Sequence, residues 1–266
     1  MNAALSPVMM PSTVQEKTSR ESSIVKPGDL TKAVFGLRLF RRTHRHVLRY
    51  LLDSIRCREN KTLFFVNAHT VNTMYEKSGY RQLLNEADLL LPDGIGIELA
   101  IRRQGDSLEE NLCGTDFIEP LCRSGLRLFL LGGKDNTAER AAQTFRERWG
   151  ATVVGTHHGY IKNYTKAEKE ELFATIHRAR ADVILVGMGQ PMQEEWILEH
   201  REQLAAPITM GVGGLFDYFS GNVKRAPLFW RKARMEWVYR MIQEPERLWK
   251  RYILGNPLFL WRMFQS

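Results

Sequence analysis

The chain has 266 residues, 44% hydrophobic and 26% charged, a globular composition that is neither fibrous nor disordered and that suffices for one large or two small domains. No apolar run approaches the ~18–20 residues needed to cross a bilayer, the start lacks a charged-then-apolar leader, and the three cysteines form no CxxC pair, so the expectation is a cytoplasmic, reduced protein. The formal charge of +8 implies an anionic partner: nucleic acid, a phosphorylated small molecule or a membrane surface.

Residues 1–29 are polar, rich in Ser, Thr and Pro and without periodicity, and read as a disordered segment. From Ala33 to Leu39 the pattern reads as one short strand leading into a basic helix with Val47, Leu48, Leu51, Leu52 and Ile55 on one face. A rhythm follows. Apolar runs at 63–66, 89–91, 126–131, 183–186 and 208–212 each end in Gly, Asn or a Pro-Asp-Gly turn, and helical spacing marks 137–149 and 167–180. Strands buried on both faces read as unbroken apolar runs, so their alternation with helices predicts an α/β fold, a Rossmann-like parallel sheet with helices on both faces, over residues 30–223.

Composition changes at residue 224. Residues 224–266 hold ten basic and three acidic side chains and four of the six tryptophans. Met235, Val238, Met241 and Ile242 share one helical face, and after Pro245 so do Leu248, Trp249, Tyr252 and Ile253. The segment reads as a basic amphipathic appendage lying in a membrane headgroup plane, each Lys or Arg contributing ~1 kcal/mol at an anionic surface. The alternative is that its apolar face packs on the protein's own core.

In sheets of this kind ligands bind beyond the carboxyl ends of the strands. Gly132-Gly133-Lys134, Gly187-Met188-Gly189 and Gly213-Gly214 stand there, where glycine admits a close phosphate and the next helix offers free N–H groups. None completes a dinucleotide fingerprint, since Met192 and Phe216 occupy the third glycine positions, and there is no P-loop. Each turn alone reads as a tight strand-to-helix connection; three at one edge point to a phosphorylated ligand. Asp93, between a strand and Gly94-Ile95-Gly96, suits a general base or a helix cap. Asn67 suits a sugar hydroxyl or a turn cap. No HExxH, Asp-x-Asp or GxSxG occurs, so phosphate charge is expected to meet backbone N–H groups and arginine, with no metal and no cofactor.

The stretches PDGIGIELA (92–100), FLLGGKDNTAERAA (129–142), GYI (159–161), VGMGQPMQEEW (186–196), GVGGLFDYFSGNVKRAP (211–227) and EWVYRMIQEPERLWKRY (236–252) together resemble the WecG/TagA/CpsF glycosyltransferases, in order over about residues 33–255. The resemblance implies a metal-independent inverting transferase. It would move a sugar from a UDP-sugar, of the N-acetylmannosamine or glucose type, to an undecaprenyl-diphosphate-linked saccharide at the inner membrane face, for surface polysaccharide or exopolysaccharide synthesis. It puts the catalytic base on Asp93 and a pocket asparagine on Asn67. The PxQE element falls on Pro191, Gln193 and Glu194, the GVGGxFD turn on Gly213, Gly214, Phe216 and Asp217, and the KRAP arginine on Arg225. Thr70, Gly94, Gly132, Gly133, Tyr160, Gly187 and Gly189 complete the expected substrate set, and Arg225, Arg231, Arg234, Arg240 and Arg247 the expected acceptor and membrane set.

One departure stands out: Asn111 replaces a family arginine, whose role is then vacant or passes to Arg102, Arg103 or an arginine of the last segment. The resemblance is also compatible with self-association. Two other classes compete. A nucleotide-cofactor oxidoreductase needs the third glycine. A nucleic-acid binder would use the basic aromatic tail but leaves the glycine edge and Asp93 without purpose, so nucleic acid is not expected as a partner.

Overall fold

The computed structural model describes residues 31–265; the segment 1–29 expected to be disordered lies outside the described residues. Eight strands form one sheet: β1 (Thr31–Val34), β2 (Leu37–Phe40), β3 (Lys61–Val66), β4 (Leu89–Pro92), β5 (Arg127–Gly132), β6 (Thr152–His157), β7 (Val183–Gly187) and β8 (Ile208–Gly211). Their order is β1-β2-β4-β3-β8-β7-β5-β6. Every neighbouring pair is parallel except β1–β2. The fold is α/β and Rossmann-like.

The five apolar runs become β3, β4, β5, β7 and β8, five of the six interior strands, the sixth being β2. Successive side chains alternate between two cores because strand residues point to opposite faces. Leu63, Phe65, Leu128 and Leu130 join one core with α1 (His44–Arg56), α5 (Gly114–Cys122), α6 (Thr137–Trp149) and α9 (Leu215–Phe219). Phe64, Val66, Phe129 and Leu131 join the other with α2 (Ala68–Glu76), α3 (Tyr80–Asn85), α4 (Ile95–Arg103), α7 (Lys166–Ala179) and α8 (Met192–Glu199). The α6 bounds match the sequence expectation, and α7 differs from it by one residue at each end.

Two strand expectations need correction. The single strand from Ala33 to Leu39 is a hairpin whose two-residue turn, Phe35 (φ 55) and Gly36 (φ 74), has the left-handed geometry that suits strand twist. The apolar pattern hid it because Phe35 is itself buried. Strand β6 falls outside the apolar runs: it is an edge strand with Gly155, Thr156 and His157, half-buried along most of its length.

The compositional break at residue 224 does not coincide with a break in packing. After α10 (Leu228–Lys232), α11 (Glu236–Gln243) and α12 (Pro245–Trp249), a π-helical segment (Lys250–Leu254) runs into α13 (Gly255–Gln265). Phe259 and Met263 of α13 enter the second core beside Val71 and Ile97. By contrast α10 and α11 bury no residue, and Ile242 is 64% exposed. Of the apolar face at 235–242, Met235 and Ile242 are exposed and Val238 and Met241 half-buried, whereas the last helix packs inward.

Candidate active site

Strands β3 and β4 are neighbours in register Val66↔Pro92, so Asn67 and Asp93 leave the sheet side by side at its carboxyl edge. The Asp93 N–H donates to the Val66 carbonyl (2.8 Å), extending the ladder by one bond. Asn67 caps α2: its Oδ1 accepts from the backbone N–H groups of His69 and Thr70, both at 3.1 Å, and its own N–H donates to Thr70 Oγ1 at 3.0 Å. With that oxygen committed to the helix, the Asn67 amide donates to the Asp93 carboxylate. Asn67 is thus both cap and positioning group for Asp93. Thr70 is fully buried, its hydroxyl between Asn67 and Gln190, and serves the cap instead of facing the crevice.

Asp93 is half-buried. Burial pushes its carboxyl above the usual carboxylate range; hydrogen bonds from Asn67 and Cys113 and the charges of Arg251 and Arg240 pull it back without cancelling the rise. The Cys113 thiol is pushed up by burial and by the Asp93 charge, so it stays protonated and donates. Asn111, at the departure from the family pattern, accepts from the Gly94 N–H at 2.9 Å and orders the turn after Asp93. Of the arginines that could take over that role, Arg102 pairs with Glu98 at 2.6 Å, and Arg103 lies over the Phe264 ring. The cations whose charge reaches Asp93 are Arg240 and Arg251.

Arg240 lies over the Tyr218 ring at 4.8 Å and against the Gly213-Gly214 turn, where its guanidinium fills the space a side chain at 214 would need. Arg251 comes from the π-helical segment. The Arg251 Nε is buried without a hydrogen-bond partner, as are those of Arg225 and Arg231, and the buried Arg240 Nε has Glu244 at 3.5 Å; such a group is costly unless an acceptor arrives. His69, on α2, is pulled down to about 4 by burial and then by the Arg251 charge, so it is neutral at pH 7. The other expected arginines are engaged elsewhere. Arg225 pairs with Asp116 and lies 3.6 Å from Glu236, Arg231 is 4.0 Å from Asp116, Arg234 pairs with Glu98, and Arg247 is 2.5 Å from Glu244.

The glycines divide. A Cβ on Gly132 would stand 2.4 Å from the Gly187 carbonyl oxygen, and one on Gly187 would stand 2.9 Å from the Gly213 carbonyl oxygen. Their missing side chains admit neighbouring backbone, so close strand packing by itself accounts for glycine at 132 and 187. The space beside Gly133 is likewise taken by Thr137. Beside Gly94, Gly189 and Gly213 it is open. Gln193 and Glu194 are fully buried: Gln193 accepts from the Gly213 N–H at 2.8 Å and donates to Glu194 at 2.7 Å, bracing the turn from beneath. Burial pushes Glu194 up to about 7. Asp217 is half-buried beside Gly214, its charge felt by Arg240. Tyr160 is 58% exposed beyond β6, five strands from β4 and so roughly 24 Å away.

Sequence reasoning passed over Arg251, Cys113 and His69. The spacing of Arg240 and Arg251, eleven residues or about three helical turns, was a usable signal, but Pro245 interrupts it. Among the described residues no group of three or more His, Cys, Asp or Glu is placed to hold a metal ion.

A mainly parallel α/β sheet, with Asp93 leaving its carboxyl edge and the charges of Arg240 and Arg251 reaching it, defines a Rossmann-like protein. Residues 32–266 match the model of the Glycosyl transferase WecG/TagA/CpsF family, and the chain belongs to that family. It is a glycosyltransferase.

Proposed function

We propose that the protein transfers a sugar from a UDP-sugar, with inversion, to a polyprenyl-diphosphate-linked saccharide of a surface polysaccharide pathway, with Asp93 as general base. The observation that carries the reading is the Asp93 carboxylate held by Asn67 and Cys113 and faced by Arg240 and Arg251. An acceptor hydroxyl gives its proton to Asp93 as its oxygen bonds the anomeric carbon, and the bond from that carbon to the UDP oxygen breaks on the opposite side. Burial makes Asp93 a stronger base than a solvated carboxylate, and help of this kind is worth roughly 10²–10⁴-fold. The departing diphosphate takes its charge toward Arg240 and Arg251, whose buried Nε groups suit it.

Membrane association is part of the proposal. Among the described residues no helix is long and apolar enough to cross a membrane. Ten of the fourteen exposed large hydrophobics, Phe229 (77%) and Ile242 among them, lie at 228–264 beside the basic residues. This combination supports an interfacial anchor. Because α13 completes the core, the anchor is tested by Phe229→Ser with Ile242→Ser in the full chain, which should weaken binding to anionic vesicles several-fold with Tm unchanged.

Titration with UDP, using NAD and an oligonucleotide as controls, tests the ligand class. A panel of UDP-sugars with a polyprenyl-diphosphate acceptor, read by product mass, tests the reaction. UDP is expected to bind while the controls do not, and preferential binding of NAD or the oligonucleotide overturns the proposal.

A further inference from the structure

Helix α2 carries three connections. At its start Asn67 holds Asp93. Two residues on, His69 feels the charge of Arg251. On the following turn stands Asn72, 5% exposed, whose amide is spent on the end of the chain. Its Nδ2 donates to the Gly255 carbonyl at 2.7 Å, and its Oδ1 accepts from Arg262 Nη1 at 2.8 Å. The same Nη1 lies 3.0 Å from the Asn72 carbonyl oxygen, and the guanidinium lies over the Tyr75 ring at 4.7 Å.

Gly255 is the first residue of α13 and directly follows the π-helical segment that bears Arg251. A Cβ at Gly255 would approach Asn72 Nδ2 to 3.3 Å, so the glycine permits the close contact. Among the described residues no ion pair within 4 Å holds Arg251: burial disfavours its charge more than Asp93 favours it, and its Nε is unpartnered. Its place must therefore be set through its backbone. Among the described residues, the extra-helical hydrogen bond to that backbone is the one at Gly255, four residues on, about one helical turn.

We propose that Asn72 is a positioning residue of this active site, clamping the junction between the π-helical segment and α13 so that Arg251 stands against Asp93. One helix then sets the base through its N-cap and the cation through its fifth residue. This rests on the reading of Arg251 as a contact for the departing diphosphate, but half of its test needs no substrate.

The experiment follows the His69 titration by NMR in the free full-length protein, together with UDP affinity. Arg251→Ala should raise the His69 pKa from about 4, because a neighbouring positive charge is gone, and weaken UDP binding. Asn72→Ala should move both in the same direction, with UDP affinity falling roughly tenfold, and the double variant should lose no more than Arg251→Ala alone. A purely structural asparagine would lower Tm without moving His69, and its loss would multiply with that of Arg251→Ala; either result overturns the proposal. Should Asn72→Ala fail to fold, Gly255→Ala presses on the same junction from α13 and should shift His69 and UDP affinity in the same sense by a smaller amount. Wild-type values in that variant also overturn it. If the wild-type protein does not bind UDP, the functional reading fails while the His69 measurement still decides the clamp.

Discussion

Strands β4 and β7 leave the sheet in outwardly similar ways, each through a glycine at the same edge, and the structure uses them oppositely. At β7 the glycine is a packing device: Gly187 and Gly132 sit opposite each other in the ladder, and backbone fills the space a side chain would take. At β4 the turn stays open. Gly94 has nothing within 4 Å of a would-be Cβ, its N–H is held by Asn111, and Asp93 projects among Asn67, Cys113 and two arginines. The lesson is that a glycine at a strand end reports close approach without saying of what. Titratable groups beside it decide between a ligand and another strand.

Asp93→Asn is the largest break. It should lower kcat by roughly 10²–10⁴ while UDP affinity, measured by titration, stays near the wild-type value; near-normal turnover removes Asp93 from the base role. Next, Arg251→Ala should weaken UDP binding roughly 10–100-fold, the loss of a charge-assisted hydrogen bond or two. It should also move the pH profile. Asp93 must be deprotonated to act, so kcat/KM falls as pH drops through its pKa, which burial holds above the ordinary carboxylate value. Arg251 lowers that pKa, so its removal shifts the acidic limb to higher pH. An unmoved limb would separate Arg251 from Asp93.

The glycine contrast is tested by stability. Gly132→Ala forces a methyl into the Gly187 backbone and should cost about 1–3 kcal/mol or more, read as a Tm loss of roughly 2–4 °C per kcal/mol. Gly94→Ala meets only the strain of its positive φ of 88° and should cost about 1 kcal/mol. Equal losses at the two positions would erase the distinction.

Much of the fold was legible. Five of the interior strands are continuous apolar runs because both faces are covered, and α6 and α7 show their helical spacing plainly. The hairpin turn and β6 were not, since Phe35 is apolar in a turn and β6 is an edge strand with a polar end. At the site, Asp93 and Asn67 stood out because local chemistry, a Pro-Asp-Gly turn and a strand-ending asparagine, marks them. Gln193 and Glu194 were legible as a motif but not as a brace, because burial under the Gly213 turn is a property of the packed layers.

The amino-acid order alone therefore determined the α/β alternation and the placing of Asn67 and Asp93 at the carboxyl edge of the sheet. These follow from side-chain period and turn chemistry over a few residues. Which arginines face that carboxylate was decided only in three dimensions. Arg225, Arg231, Arg234 and Arg247 find acids near them, and Arg240 shares Glu244 with Arg247, yet the charges that reach Asp93 are those of Arg240 and Arg251, delivered across more than a hundred residues of sequence by helices whose course depends on Pro245, the π-helical segment and the docking of α13 on α2. Local patterns cannot encode that choice, because it is made by packing between segments distant along the chain.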